Sequence, residues 1–550
     1  MKQASQKKFS KDKIYKLEIT GLTHEGQGVG KIQGFVIFVD SALPGETVSV
    51  NIVKETKSYA VGKLISVDKP SQYRVKPFCP VFESCGGCSV QHMNYQAQLD
   101  FKKDTVVQNI KRIGGLENVQ VLDTIGMQSP FRYRNKVQYP VSMQDKQVKI
   151  GFYESRSHNI IDSQECDIQP EDSNVIRTLV RDFCKDKNIS IYDEKTGKGL
   201  IRHVMVRKGF TTDELMVVLV INGEKLPAGE QLVQRLTQKY PNIKSIMLNV
   251  NTKNTNIILG LKNICIFGQS YISDYIGKYK FNISPLSFFQ VNPIQTEVLY
   301  GKALEYAQLT GSETVFDLYC GIGTISLFLS EKAQKVIGVE VVPEAIEDAK
   351  QNAVLNRVTN TQFIAGEAEV VIPKLYAEGI RADVVVVDPP RKGCDEVLLN
   401  TLVEMQPQRI VYVSCNPSTL ARDLKYLSGH GFEVKEVQPV DMFPWTGHVE
   451  TVVCLSQLKP DDHISVNLDL DELDLTSSEA EATYAEIKDY VLNKYNFKVS
   501  SLYVAQVKDK MGIKERINYN LSKKEDVKVP RCPHDKEQAI IDAFKYFKMI

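Results

Sequence analysis

Between Ile14 and about Lys69, apolar and polar positions alternate in short runs, KLEITGL, GFVIFVD, TVSVNIVK and AVGKLISV, broken by glycine-rich turns. A period of two with turns at this spacing predicts short strands that close into a small β-barrel of the oligonucleotide-binding (OB) type. Over about residues 93–113 the pattern becomes helical, and a β-rich stretch follows to roughly residue 283. From Thr314 to Leu455 it changes again. Apolar runs TVFDLYC, KVIGVE, TQFIAG, ADVVVVD, RIVYVSC, FEVKEVQPV and VETVVCL alternate there with helical segments, as in an α/β domain built on a mostly parallel sheet. Residues 461–550 stand apart. Helices are expected near 477–495 and 534–548, and TYAEIKDYVLNKY with SSLYVAQVKDKMGI fits a small winged-helix-like addition, to which no activity is assigned.

A chain of 550 residues is too long for one hydrophobic core, so three or more folded units are expected. Apolar content of 43% and charged content of 25% are ordinary for globular protein. No apolar run reaches membrane-spanning length, and Met1–Lys13 lacks the apolar core of a signal peptide. The expectation is a cytoplasmic protein with no membrane partner, read as a monomer. The net charge of +1 announces no polyanionic partner, but charge is unevenly placed. Residues 461–475 are acidic, while 102–112 and 131–136 are basic, which allows a local cationic face. Eleven cysteines in such a chain point to thiols, metal ligands or a nucleophile rather than to a disulfide framework.

Asp317-Leu-Tyr-Cys-Gly-Ile-Gly323 lies between a strand and an apolar helix. Gly321 and Gly323 let the backbone turn tightly and approach a ligand there. Glu340 ends the next strand, where a carboxylate can take both hydroxyls of a ribose. Position 326 is Ser, so the third glycine of a pyrophosphate cradle is missing. Asp317 ahead of the glycines together with Glu340 fits S-adenosylmethionine better than a dinucleotide.

Two further strands end in candidate chemistry, ADVVVVD in Asp388-Pro-Pro-Arg391 and RIVYVSC in Cys415-Asn416-Pro417. Open α/β sheets bind ligands at the carboxyl ends of their strands. An antiparallel final strand would deliver Glu450 to that same edge. A thiol and a carboxylate beside a methyl donor suit one reaction well. Carbon 5 of uracil is a poor nucleophile until a thiolate adds to carbon 6, and a base must later remove the proton on carbon 5.

Cys79, Cys85 and Cys88 are spaced C-x5-C-x2-C around Gly86-Gly87, and Cys166 in SQECDIQP is a fourth candidate. Four thiolates can hold zinc or a 4Fe-4S cluster. Phe131-Arg132-Tyr133-Arg134-Asn135-Lys136 interleaves cations with aromatics, as phosphate contact and base stacking require. Arg202-His203 and Arg207-Lys208 form a second basic stretch.

HEGQGVGK and SALPGETV resemble a TRAM domain. DPPRKG, SCNPSTLARDL, FPWTGHVETV and SFFQVN resemble the RNA uracil-C5 methyltransferases, particularly the 23S rRNA enzymes that carry a TRAM domain. The resemblance implies a TRAM barrel over 13–71 and a β-rich α+β central domain over 75–92 and 125–283. It implies a Rossmann-like class I methyltransferase domain with a mostly parallel seven-stranded sheet over 93–124 and 284–459. Residues 460–550 are left as an extension of unassigned role. It makes Cys415 the nucleophile and Glu450 the base, with Gln290, Tyr319, Glu340 and Asp388 contacting the methyl donor. Phe288 becomes a candidate to hold the stack that a flipped-out base leaves. The resemblance also implies a 4Fe-4S cluster on Cys79, Cys85, Cys88 and Cys166, and 23S rRNA as partner. Thr324 stands where some relatives carry Asn. The same chemistry on tRNA, or an RNA-binding homologue without turnover, are the alternatives.

Overall fold

The N-terminal alternation folds into a closed barrel of five strands, Ile14–Leu22, Gly28–Ile32, Phe35–Val39, Thr47–Glu55 and Tyr59–Lys69, the last lying between the third and fourth. Leu17, Ile19, Ile37, Val39, Val48 and Val50 point inward and are buried. Gly28–Ile32, in sequence a glycine-rich turn, is a strand. A Cβ on Gly30 would lie 2.3 Å from the carbonyl oxygen of Glu18, so close strand approach, rather than turning, requires that glycine.

In this computed structural model the described residues are 8–10, 13–163, 165–458, 484–495, 497–511 and 532–546. They form two units that divide after residue 462. Among them no helix is long and apolar enough to cross a membrane.

The middle of the chain builds a six-stranded sheet in the order Lys262–Gly268, Ile243–Val250, Leu215–Ile221, Ile201–Lys208, Lys136–Gln144, Gln147–Ile150. All seven residues of Leu215–Ile221 are buried, as a strand covered on both faces requires. Val217 and Leu219 share a core with Val180 and Phe183 of helix Glu171–Asp186 and with Leu232 of helix Gly229–Lys239. Met216 and Val218 share another with Phe281 and Leu299.

The basic stretch on this sheet does not face solvent. Arg202 and Arg207 are buried and donate inward, Arg202 to the carbonyls of Asn251 and Lys253 and Arg207 to that of Ser287 at 2.6 Å. Lys208 pairs with Asp172 and Asp213. Carbonyls brought up by other segments thus take terminal guanidinium donors of both arginines, and carboxylates take the Lys208 ammonium.

A seven-stranded sheet follows, ordered Thr361–Ala365, Lys335–Glu340, Thr314–Leu318, Val384–Val387, Arg409–Ser414, Glu450–Gln457, Phe432–Val440. The first five strands are parallel, Glu450–Gln457 runs antiparallel to its neighbours on both sides, and Phe432–Val440 at the edge runs with the first five. The carboxyl ends of the parallel strands and the start of Glu450–Gln457 therefore share one edge. Helix Tyr95–Arg112, capped by the Asn94 side chain on the Ala97 N–H at 2.9 Å, packs on helix Pro417–Ser428. Its Lys102 is fully buried and ion-pairs with buried Asp441.

The second unit holds helices Tyr484–Tyr495, Ser501–Lys510 and His534–Tyr546 around Ile487, Val491, Val504, Ile540 and Phe544. Its described residues contain no strand, so no wing is among them. The expected helical residues 477–483 and 547–548 lie outside the described ones.

Candidate active site

One cavity of about 1680 Å³ opens along the shared sheet edge. Cys415, Glu450, Asp388, Gln290, Tyr319, Gly321, Glu340 and Phe288 all line it. Six chain segments thus bring to one place the residues expected to react and those expected to hold the methyl donor.

At the cofactor end, the loop after Thr314–Leu318 is held in a tight conformation. Tyr319 has φ +67°, Gly321 +55° and Gly323 +80°. The Tyr319 N–H donates to the Val339 carbonyl, and its hydroxyl donates to Glu369 at 3.3 Å. A non-glycine residue held at positive φ is costly, so its surroundings must hold the turn in place. Glu340 accepts the N–H of Gly321 on one carboxylate oxygen (3.2 Å) and that of Val342 on the other (3.0 Å). The carboxylate is oriented, and each oxygen keeps a lone pair for a hydroxyl. Thr324 exchanges a 3.0 Å hydrogen bond with the Tyr300 hydroxyl, so its side chain supports the cavity wall.

Around Cys415 and Glu450, burial dominates the electrostatics. It pushes the Cys415 thiol up to about 11, the nearby Glu450 and Asp388 carboxylates add to the rise, and Arg391 opposes it. Burial likewise lifts Glu450 well above the carboxylate range, with Asp388 adding and Arg391 opposing. Asp388 is pushed up to about 7. DPPRKG contains Arg391, but nothing in its local sequence marks the electrostatic role that folding gives it. Its backbone carbonyl is fixed by Asn416 Nδ2 at 3.0 Å and Thr419 Oγ1 at 3.2 Å. His24 and Gln27 of the barrel also line the cavity, a placement that only the barrel's docking reveals.

The loop 284–292 presents two adjacent phenylalanines differently. Phe289 is buried in the core, whereas Phe288 is 67% exposed. Phe288 is therefore not a core aromatic. Asn135 fastens the basic segment to this loop, its Nδ2 donating to the Gln290 carbonyl at 2.9 Å. Within that segment Arg134 lines the cavity. Arg132 is exposed and pairs with Glu171. Lys136 is half-buried, and burial lowers its ammonium to about 7.

Cys79, Cys85, Cys88 and Cys166 line a second cavity of about 270 Å³, and Arg134 borders it too. The Gly87 N–H donates to Cys85 Sγ at 3.4 Å. Burial pushes the thiols of Cys88 and Cys166 up to about 12 and 11, and other members of the four add to each rise. Among the described residues no set of three or more His, Cys, Asp or Glu side chains is arranged to hold a metal ion.

Residues 94–458 match the tRNA (uracil-5-)-methyltransferase family, and residues 11–65 match the TRAM domain. The chain belongs to the tRNA (uracil-5-)-methyltransferase family. It is 54% identical over 446 residues to an uncharacterized RNA methyltransferase of Clostridium tetani, covering 81% of this chain and 97% of that one. With an uncharacterized RNA methyltransferase of Clostridium acetobutylicum the identity is 53%, over 82% and 98% of the two chains. The crystal structure of the Pyrococcus abyssi tRNA (uracil-54, C5)-methyltransferase in complex with S-adenosyl-L-homocysteine superimposes with a TM-score of 0.65. That enzyme is 29% identical, and the match covers 80% of this chain and all of the other. The chain is thus an RNA methyltransferase of the uracil-5 family that uses S-adenosylmethionine. The C-terminal unit lies beyond the family match.

Proposed function

We propose that this protein methylates carbon 5 of a specific uridine in 23S rRNA, with Cys415 as covalent nucleophile and Glu450 as base. The observation that carries the reading is the meeting of Cys415 and Glu450 with the Tyr319–Gly323 turn and Glu340 in one cavity. Glu340 takes the ribose hydroxyls of the methyl donor, and Gln290, Tyr319, Gly321 and Asp388 complete its surroundings. S-adenosylmethionine supplies, when bound, an electrophilic methyl group for carbon 5. Cys415 Sγ, after passing its proton to water, bonds to carbon 6 and shifts the electron pair of the ring double bond toward carbon 5. Glu450 then takes the proton from methylated carbon 5. The freed pair restores the double bond and expels the Cys415 thiolate. Burial that raises the Glu450 carboxyl makes its ionised form a stronger proton acceptor.

RNA enters over Phe288, whose exposed ring suits stacking in place of the flipped base, with Arg132, Arg134 and Lys136 as candidate contacts. The barrel (13–71), the central domain (75–92 and 125–283) and the methyltransferase domain (93–124 and 284–459) act together as a monomer. A tRNA target is the second reading, favoured by the likeness to the Pyrococcus abyssi tRNA enzyme. Mass spectrometry of 23S rRNA and tRNA from a deletion strain separates the two, because only one pool loses 5-methyluridine. In vitro, Cys415→Ala abolishes methylation and the adduct with 5-fluorouridine RNA. Full activity of that variant refutes the covalent route.

The four cysteines suit a 4Fe-4S cluster. A body of several irons holds its thiolates farther apart than one ion does, and the cavity of about 270 Å³ between them leaves that room. Cys79, Cys85, Cys88 and Cys166 would hold it, with backbone N–H groups such as that of Gly87 supporting the sulfurs.

A further inference from the structure

The turn that delivers Glu450 is held by far more partners than its length requires. Lys102 Nζ donates to the Phe443 carbonyl at 3.0 Å, Asn292 to that of Met442 at 3.1 Å and the Tyr133 hydroxyl to that of Pro444 at 3.1 Å. Trp445 sits at its centre with φ +69°, a conformation that a bulky residue adopts only when its surroundings impose it. Its ring is buried, donates to the Pro130 carbonyl at 2.7 Å and packs on Phe78, Tyr95 and Phe131. The same small core includes Cys88 and Cys166.

The cysteine segment grips this turn directly. The N–H groups of Ser89 and Val90 both donate to the Trp445 carbonyl, at 3.0 and 3.2 Å. The Ser89 hydroxyl accepts the Gly447 N–H at 3.2 Å, three residues before Glu450. On the other side, a Cβ on Gly447 would lie 2.5 Å from the His24 carbonyl of the barrel, so the turn has no room to relax that way.

We propose that Ser89 and Trp445 form a clasp through which the cysteine segment fixes the turn bearing Glu450, making Ser89 a positioning residue for proton abstraction. This rests on the reading of Glu450 as the base. The hydrogen bonds and ring contacts of Ser89 and Trp445 go to partners other than the Tyr319–Gly323 turn and Glu340, so loosening the clasp slows the last step and spares the earlier ones. In that step the carbon 5 proton passes to the Glu450 carboxylate, the C–H pair rebuilds the ring double bond, and the sulfur–carbon 6 bond breaks.

The test compares Ser89→Ala, Ser89→Thr, Trp445→Phe and Glu450→Gln in the full-length protein. Each is mixed with S-adenosylmethionine and total RNA from a strain lacking the gene. Methyl transfer is followed by radiolabel and covalent enzyme–RNA adduct by denaturing gel. Ser89→Ala is expected to release RNA about two- to tenfold more slowly, the range for one lost hydrogen bond, with an unchanged first-turnover transfer rate and unchanged donor affinity. Ser89→Thr keeps the hydroxyl and restores release. Trp445→Phe, which keeps the packing and loses the Pro130 hydrogen bond, also accumulates adduct. If Glu450→Gln accumulates adduct while Ser89→Ala and Trp445→Phe release RNA at the normal rate, the clasp is wrong. Equal slowing of transfer and release in Ser89→Ala also overturns it, as a general structural defect. Absence of adduct in Glu450→Gln instead overturns the assignment of the base.

Discussion

The thiol of Cys415 should react with disulfide reagents in a way that reports its burial. With the thiol pushed up to about 11, about 0.1% is thiolate at pH 8, against about a quarter for an ordinary thiol near ~8.5. That deficit is roughly 240-fold. A more basic thiolate is intrinsically more nucleophilic, and a Brønsted slope near ~0.45 returns roughly tenfold of the loss. Cys415 should therefore react roughly twentyfold more slowly than free cysteine with a small aromatic disulfide at pH 8. The slope with pH is the sharper signature. Raising pH from 8 to 9 should speed Cys415 about tenfold, while an ordinary thiol, already part ionised, gains about threefold. Quenched exchange followed by peptide mass spectrometry isolates the rate of Cys415 from the other ten cysteines. Arg391→Leu should slow it further, since that guanidinium opposes the rise. A rate that levels off by pH 9 would refute the claim that burial governs this thiol.

Lys102→Met leaves Asp441 buried without its cation, which should cost about 3–5 kcal/mol in denaturant unfolding of the first unit; a loss under 1 kcal/mol would refute the claim that this ion pair holds the two segments together. Glu340→Ala should weaken S-adenosylmethionine binding at least about tenfold in calorimetry, because hydrogen bonds to a charged group contribute roughly 1.5–3 kcal/mol each; unchanged affinity would mean the ribose binds elsewhere. Protein purified without oxygen should be brown and carry about four irons per chain, lost together on Cys88→Ala; stoichiometric zinc without visible absorbance would replace the cluster by a zinc site.

Strands that bury at least one face were legible in the sequence nearly to the residue. KVIGVE and FEVKEVQPV match Lys335–Glu340 and Phe432–Val440 end to end, because continuous or alternating apolar runs have few other ways to hide from water. The reacting groups were legible for a related reason. In an α/β sheet the residues that follow parallel strands gather at one edge, so Asp388 and Cys415 converge whatever the loops do. Elsewhere the local pattern was silent or misleading. Gly28–Ile32 looked like a turn because its glycines serve a neighbouring strand. Arg202 and Arg207 read as a basic stretch, yet carbonyls of other segments take donors of both in the interior. Phe288 and Phe289 are chemically identical, and only the packing of loop 284–292 decides which one meets solvent. Ser89 and Gly447 meet although 358 residues separate them. A side chain's nearest partners are set by how whole elements dock, and docking is a property of surfaces that no window of sequence contains.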